Sequence, residues 1–158
     1  ALTGRLCVIV GGGALAARRA QSLLEGGASL RVIAPEISPA VETLVSKGEP
    51  VELIRRAFAD GDLEGAFLVV AATGVEAVDA AVAEEAVRRG CLLNSAADGS
   101  LGDTTVPAVV RRGRLEIAVG TSGASPKLAG RIRREIEESY GAEWTAYLDL
   151  LAATRALA

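Results

Sequence analysis

Gly11, Gly13 and Ala16 stand in the spacing G-x-G-x-x-G/A, between an apolar run and a helical pattern. Each small residue answers a need of a turn that cradles a dinucleotide pyrophosphate. At Gly11 the chain turns tightly, at Gly13 the backbone comes close to the phosphates, and at Ala16 helix and strand pack. The free amides of Ala14 and Leu15 then face the phosphates, with the positive end of the helix dipole behind them. The chain has no histidine. Serine–histidine and cysteine–histidine catalysis, imidazole proton transfer and histidine-ligated metal sites are therefore excluded. Acid–base work is left to Asp, Glu, Tyr, Lys or Cys. Cys7 and Cys91 have no CxxC partner and lie in apolar runs. They are expected to be buried free thiols in a reducing cytoplasm rather than a disulfide or a zinc site.

Two further positions extend the nucleotide reading. Pro35 and Glu36 close the second apolar run, and an acid about 20 residues after the glycines can hold an adenosine ribose. Glu36 either does so, favouring NAD over NADP, or faces solvent. Arg31, inside that run, would argue for NADP unless it simply lies on the surface. Ala72, Thr73 and Gly74 end another apolar run. In an open α/β sheet, ligands lie beyond the carboxyl ends of the strands, so this turn is expected to line the nicotinamide side. Its other reading is an ordinary strand-to-helix turn with Thr73 as a cap.

Elements that could position these residues alternate along the chain. Strands are expected at residues 6–10, 30–34, 51–54, 66–71 and 91–93, with helices at 14–24, 39–47 and 75–89 between them. Apolar strands alternating with helices imply right-handed crossovers and a parallel sheet. The fold class is α/β, a Rossmann-like doubly wound sheet over residues 1–103. Beyond it, residues 105–110 and 115–119 read as a hairpin across Arg111, Arg112, Gly113 and Arg114. Ser125 and Pro126 read as an N-cap and first helical residue. Leu128, Ile132 and Ile136 give that helix an apolar stripe, and a last helix starts near Glu143. Residues 104–158 are too few for a core of their own and are expected to dock on the first domain or on a second copy. The 158 residues are 50% hydrophobic and 23% charged, with a net charge of −3. That balance allows a real core and argues against a nucleic-acid partner held by phosphate neutralisation. No apolar run reaches the roughly 18 residues of a membrane span.

The ordered set of motifs resembles a known family. Val10-Gly11-Gly12-Gly13, Ala34-Pro35, Asp62-Leu63, Gly65-Ala66-Phe67, Ala71-Ala72-Thr73, Arg89-Gly90, Pro107-Ala108 and the run from Ser122 to Ala129 all fit it. Together they look like the precorrin-2 dehydrogenase/sirohydrochlorin ferrochelatase family, which also forms the N-terminal part of siroheme synthases. The resemblance implies an NAD-dependent oxidation of precorrin-2 to sirohydrochlorin, with ferrous iron insertion in some members. It also implies a cytoplasmic homodimer, with the segment after the nucleotide domain forming the dimer interface and the tetrapyrrole cleft. Members carry further helices past this point, so the chain is expected to be a short form or a piece. Precorrin-2 is a polycarboxylate, and arginine forks bind carboxylates, which makes Arg111, Arg112 and Arg114 candidate substrate contacts. Ser125 lies at the family's cleft, although an N-cap role explains it without function.

The departures concern the base. The family has an Asn-x-x-Asp element after the fifth strand, and here it reads Asn94-Ser95-Ala96-Ala97-Asp98. Ala97 stands where the family has its aspartate, so Asp98 is the remaining candidate for the catalytic acid–base group. Gly74 and Asp79 also replace the family's usual residues. Three functions are open at this stage. The chain is an active dehydrogenase, or a chelatase-only or altered member that binds without oxidising, or a ligand-sensing nucleotide-binding regulatory module.

Overall fold

A computed structural model describes residues 2–95, 102–104 and 106–156. The chain divides into two compact units, residues 1–104 and 105–158. The first contains β1 (Leu6–Val10), α1 (Ala14–Glu25), β2 (Ser29–Ile33), α2 (Pro39–Ser46), β3 (Val51–Ile54), β4 (Leu68–Ala71), α3 (Glu76–Arg89) and β5 (Leu92–Ser95). The strands lie in the order β3-β2-β1-β4-β5, and every neighbouring pair is parallel. This is the expected doubly wound sheet, with its order reversing at β1 and β4.

Alternation along the strands builds a core on each face. Cys7, Ile9, Leu30, Val32, Leu68 and Val70 meet Ala16, Ala20 and Leu23 of α1 and Val41 and Leu44 of α2. Val8, Val10, Ile33, Val69, Ala71 and Leu93 meet Val82 and Ala86 of α3. The strands are apolar at successive positions because both faces are covered. β4 begins at Leu68, two residues inside the apolar run. The Ala66 amide closes a turn onto Leu63 O, and Phe67 lies under the Arg5 guanidinium, 4.9 Å from its ring centroid.

The second unit contains β6 (Ala108–Arg112), β7 (Leu115–Val119), α4 (Pro126–Ser139) and α5 (Glu143–Arg155). β6 and β7 form an antiparallel hairpin. The Ser125 hydroxyl caps α4 by accepting from the Leu128 amide at 3.2 Å, and Pro126 takes the first helical position. α5 has no buried residue. Among the described residues, no helix is long and apolar enough to cross a membrane.

Candidate functional site

The carboxyl ends of β1, β2 and β4 meet at a cavity of about 400 Å³. Its floor is the glycine turn. The Gly11 amide donates to Ile33 O at 2.9 Å, and the Ala72 amide donates to Val10 O at 2.8 Å, so three strand ends are tied at one point. Gly11 has φ +129°, and a Cβ there would lie 2.3 Å from Ala72 O. A Cβ on Gly12 would lie 2.0 Å from Glu36 O. The Ser38 amide donates to Gly12 O at 2.9 Å, holding the chain after β2 against the turn. Nothing lies within 4 Å of a Cβ built on Gly13. Gly13 is the N-cap of α1 and offers no side chain to the first-turn amides. Those amides, at Ala14 and Leu15 among others, keep their donors for a ligand. The open approach over Gly13 and the helix dipole suit a pyrophosphate, so the residues present fit the nucleotide that the spacing predicts.

The walls come from the segments that follow three strands. Ile33, Ala34, Pro35 and Glu36 supply one, Ala57 and Phe58 another, and Thr73, Val75 and Val78 the third. Among the described residues that line the cavity, Glu36 alone carries a charge. Arg31 does not reach it: its Nε donates to Glu52 at 2.9 Å and its terminal nitrogen to Asp62 O at 3.3 Å. Thr73 shares the cavity with Pro35 and Glu36, so the turn expected on the nicotinamide side forms a wall with the residues after β2. Its hydroxyl donates to Asp79 Oδ1 at 2.6 Å and accepts from the Val75 amide at 3.0 Å. Asp79, 5% exposed, also accepts from the Thr73 amide at 3.2 Å. The carboxylate thereby fixes the turn, and Thr73 is both cap and lining. Gly74 follows with φ +72° and open space around it.

Asp98 and Ala97 lie outside the described residues, but the two ends of their segment do not. Asn94, buried on β5, donates to Thr104 O at 2.7 Å, and the Thr104 amide donates back to Leu93 O at 3.0 Å. Residues 94 and 104 are thus clasped at the carboxyl end of β5. The Asn94 Oδ1 atom is buried without a partner among the described residues.

The substrate candidates all lie in the second unit, and the fold has already engaged most of them. Arg112 donates to the carbonyl oxygens of Tyr140 at 3.0 Å, Glu137 at 3.3 Å and Arg111 at 2.9 Å. It ties the last turn of α4 to β6, satisfying carbonyls the helix leaves open. Arg111 pairs with Glu116 at 3.4 Å, and exposed Arg114 with Asp149 at 3.0 Å. Ser125 is at the other end of α4, about 20 Å from the Arg112 contacts at 1.5 Å rise per residue. These candidates are therefore not one cluster. No periodic pattern marks Phe58 and Ala57 as lining, since they lie on an irregular segment. Gly12 could have been suspected from three consecutive glycines.

Comparison with known proteins adds independent findings. Residues 1–108 match a family described as NAD(P)-binding, and residues 112–139 match one described as "Sirohaem biosynthesis protein central". The chain is 35% identical over 156 residues to a precorrin-2 dehydrogenase of Priestia megaterium, covering 99% of this chain and 76% of that one. It is 41% identical over 144 residues to a siroheme synthase of Pseudomonas paraeruginosa, covering 89% of this chain and 31% of the other. Siroheme synthase 1 of Halorhodospira halophila is 44% identical over 138 residues, and the match spans 28% of its length. Among solved structures, SirC, precorrin-2 dehydrogenase, superposes with a TM-score of 0.82 at 35% identity, covering 99% of this chain and 76% of that one.

Proposed function

The chain belongs to the precorrin-2 dehydrogenase and siroheme synthase family, and on that premise we infer that it oxidises precorrin-2 to sirohydrochlorin with NAD in siroheme biosynthesis. The observation that carries the cofactor reading is the cavity at the β1–β4 switch: a steric glycine cradle, an open approach at Gly13, and Glu36 as the one charge among the described lining residues. Bound there, NAD supplies the hydride acceptor. The chain's own work is to hold it and to take the accompanying proton. Gly11, Gly13, Ala14 and Leu15 cradle the pyrophosphate, and Pro35 and Glu36 meet the adenosine ribose. Ala72, Thr73 and Gly74 close the site from β4. With no cation among the described lining residues to receive a 2′-phosphate, NAD is favoured over NADP.

The proton goes to Asp98, carried on the segment that Asn94 and Thr104 clasp. The tetrapyrrole carboxylates meet the second unit, where Arg111, Arg114 and the Ser125 end of α4 are the contacts, Arg112 serving mainly to hold the unit together. The protein is a homodimer through that unit. In support, Tyr147 and Leu150 of α5 are more than half exposed, a surface that a second copy would cover. It works in the cytoplasm, consistent with free thiols at Cys7 and Cys91. Iron insertion is a second activity to be assayed on the same protein.

The test is to mix the protein with precorrin-2 and NAD and follow sirohydrochlorin absorbance and NADH together. Equal amounts of both are expected. Absence of NADH in a sample that binds NAD would overturn the dehydrogenase function and leave the chelatase-only reading, checked by adding sirohydrochlorin and ferrous iron.

A further inference from the structure

One wall of the cavity has no secondary structure to hold it. Residues 55–63 are neither helix nor strand, yet Ala57 and Phe58 line the cavity. Phe58 also packs against the buried cluster that contains Val10, Ile33 and Leu63. What fixes the segment is a set of carboxylate bonds made outside the cavity. Arg56 grips Asp62 with both terminal nitrogens, at 2.7 and 2.6 Å. The same carboxylate accepts from the Ala59 amide at 2.8 Å. Behind it, Glu85 of α3, 1% exposed, accepts from the amides of Gly61 at 3.0 Å and Leu63 at 3.3 Å. Arg89 supplies the balancing charge to Glu85 at 2.5 Å.

A paired fork of this kind fixes direction as well as distance, because guanidinium and carboxylate are both planar. Asp62 is the partner that bridges both sides of Phe58: it holds Arg56, two residues before, and the Ala59 amide, one residue after. An irregular wall left unfixed would have to be ordered when a ligand binds, at the expense of affinity. We propose that Asp62 is a positioning residue for the cofactor: by clasping Arg56 and the Ala59 amide it holds Ala57 and Phe58 as the preset wall of the adenosine half of the site. This rests on reading the cavity as the NAD site. Phe58 and Ile33 are the apolar lining on the side of the cavity that Glu36 shares, which suits an adenosine. Asp62 is not among the residues that line the cavity, and it acts through Phe58.

The experiment measures binding of ADP-ribose and of nicotinamide mononucleotide to the full chain by calorimetry. Asp62→Asn and Arg56→Ala are compared with the unaltered protein, together with the double variant. Arg56 is half exposed, so its truncation leaves the core intact and serves where Asp62→Asn folds poorly. Each single variant is expected to weaken ADP-ribose by about tenfold, and the double variant by no more than the worse single one, as for two halves of one interaction. Binding of the mononucleotide stays unchanged, and in turnover KM for NAD rises while kcat holds. If both variants bind ADP-ribose like the unaltered protein, or lose both ligands equally, the positioning role is wrong. If the unaltered protein fails to bind ADP-ribose at all, the NAD-site reading falls first.

Discussion

A Cβ placed on Gly11 would sit 2.3 Å from the carbonyl oxygen of Ala72, whereas one placed on Gly13 meets nothing within 4 Å. The two glycines of one motif therefore answer to different constraints. Gly11 is demanded by the fold, through its φ of +129° and the return of β4 beside β1. Gly13 is demanded only by what approaches from outside. Gly11→Ala should lower the melting temperature clearly, since neither Ala72 nor the backbone can yield cheaply. Gly13→Ala should melt like the unaltered protein and yet bind NAD at least about tenfold more weakly, its methyl standing where the pyrophosphate must come. Thermal melts and calorimetry on the two variants check this.

The strands, helices and glycine turn could be read from the sequence because each signal is local. Val8, Ile9 and Val10 sit in one unbroken apolar run, and glycines stop it. The Arg56–Asp62 clasp could not be read, because an irregular segment has no period that marks which charges meet. In the sequence Arg112 reads as a candidate carboxylate contact, one of three arginines in a short run. It is consumed instead by carbonyls at Glu137 and Tyr140, brought beside β6 only when α4 packs on the hairpin. Asp79 reads in the sequence only as a departure from the family's usual residue. Its burial follows from the β4–α3 turn folding Thr73 back over it.

Glu36 sets a prediction about cofactor choice. It is the one charged residue among the described lining of the cavity, and Arg31 is held away by Glu52 and Asp62 O. A 2′-phosphate would face a carboxylate with no cation to offset it. Glu36→Ala should narrow the preference for NAD over NADP by about tenfold, and Glu36→Arg should bring NADP to parity or beyond. The ratio of kcat/KM for the two cofactors measures it. An unchanged ratio in both variants would place the ribose elsewhere.

Asp62 gives the clasp a pH dependence with a definite sign. Its hydrogen bonds to Arg56 hold its carboxyl below the ordinary 3.8; burial opposes this, while the Ala59 amide and the charges of Arg56 and Arg31 reinforce it. A depressed folded value means the contribution is complete above the unfolded pKa and is lost as pH falls through the folded one. Glu85 faces Arg89 and the neighbouring amides of Gly61 and Leu63, not Asp62. Melting temperature should therefore hold down to about pH 4 and fall below it. In Arg56→Ala the melting temperature should start lower at neutral pH and fall less on acidification. The unfolded pKa sets the onset, and the variant has lost the depression that gives the fall its size. Coincident pH profiles for the two proteins would show that the ion pair contributes nothing.

Cysteine reactivity follows from burial. Cys7 is fully buried on β1, and burial pushes its thiol up to about 11. At pH 8 that leaves about one thiolate in a thousand, with no path for a reagent. Cys91 is half-buried, its thiol donates to Ala66 O at 3.2 Å, and burial raises its pKa as well. Iodoacetamide at pH 8 should leave Cys7 unlabelled in the native protein and label Cys91 slowly. Both should label at once in urea, as read by mass spectrometry.

The clasp between Asn94 and Thr104 bears on which acid takes the proton. Their 2.7 Å bond joins the two ends of the segment that carries Ala97 and Asp98. The family resemblance places the acid at Ala97, and no histidine is present to take its part. If Asp98 is the base, Asp98→Ala should lower kcat by about a hundredfold or more with NAD binding unchanged. Ala97→Asp should then raise kcat above that of the unaltered chain, because it restores the position that the family uses. If Asp98→Ala is silent while Ala97→Asp raises kcat, the working acid belongs at residue 97 and this chain turns over without one.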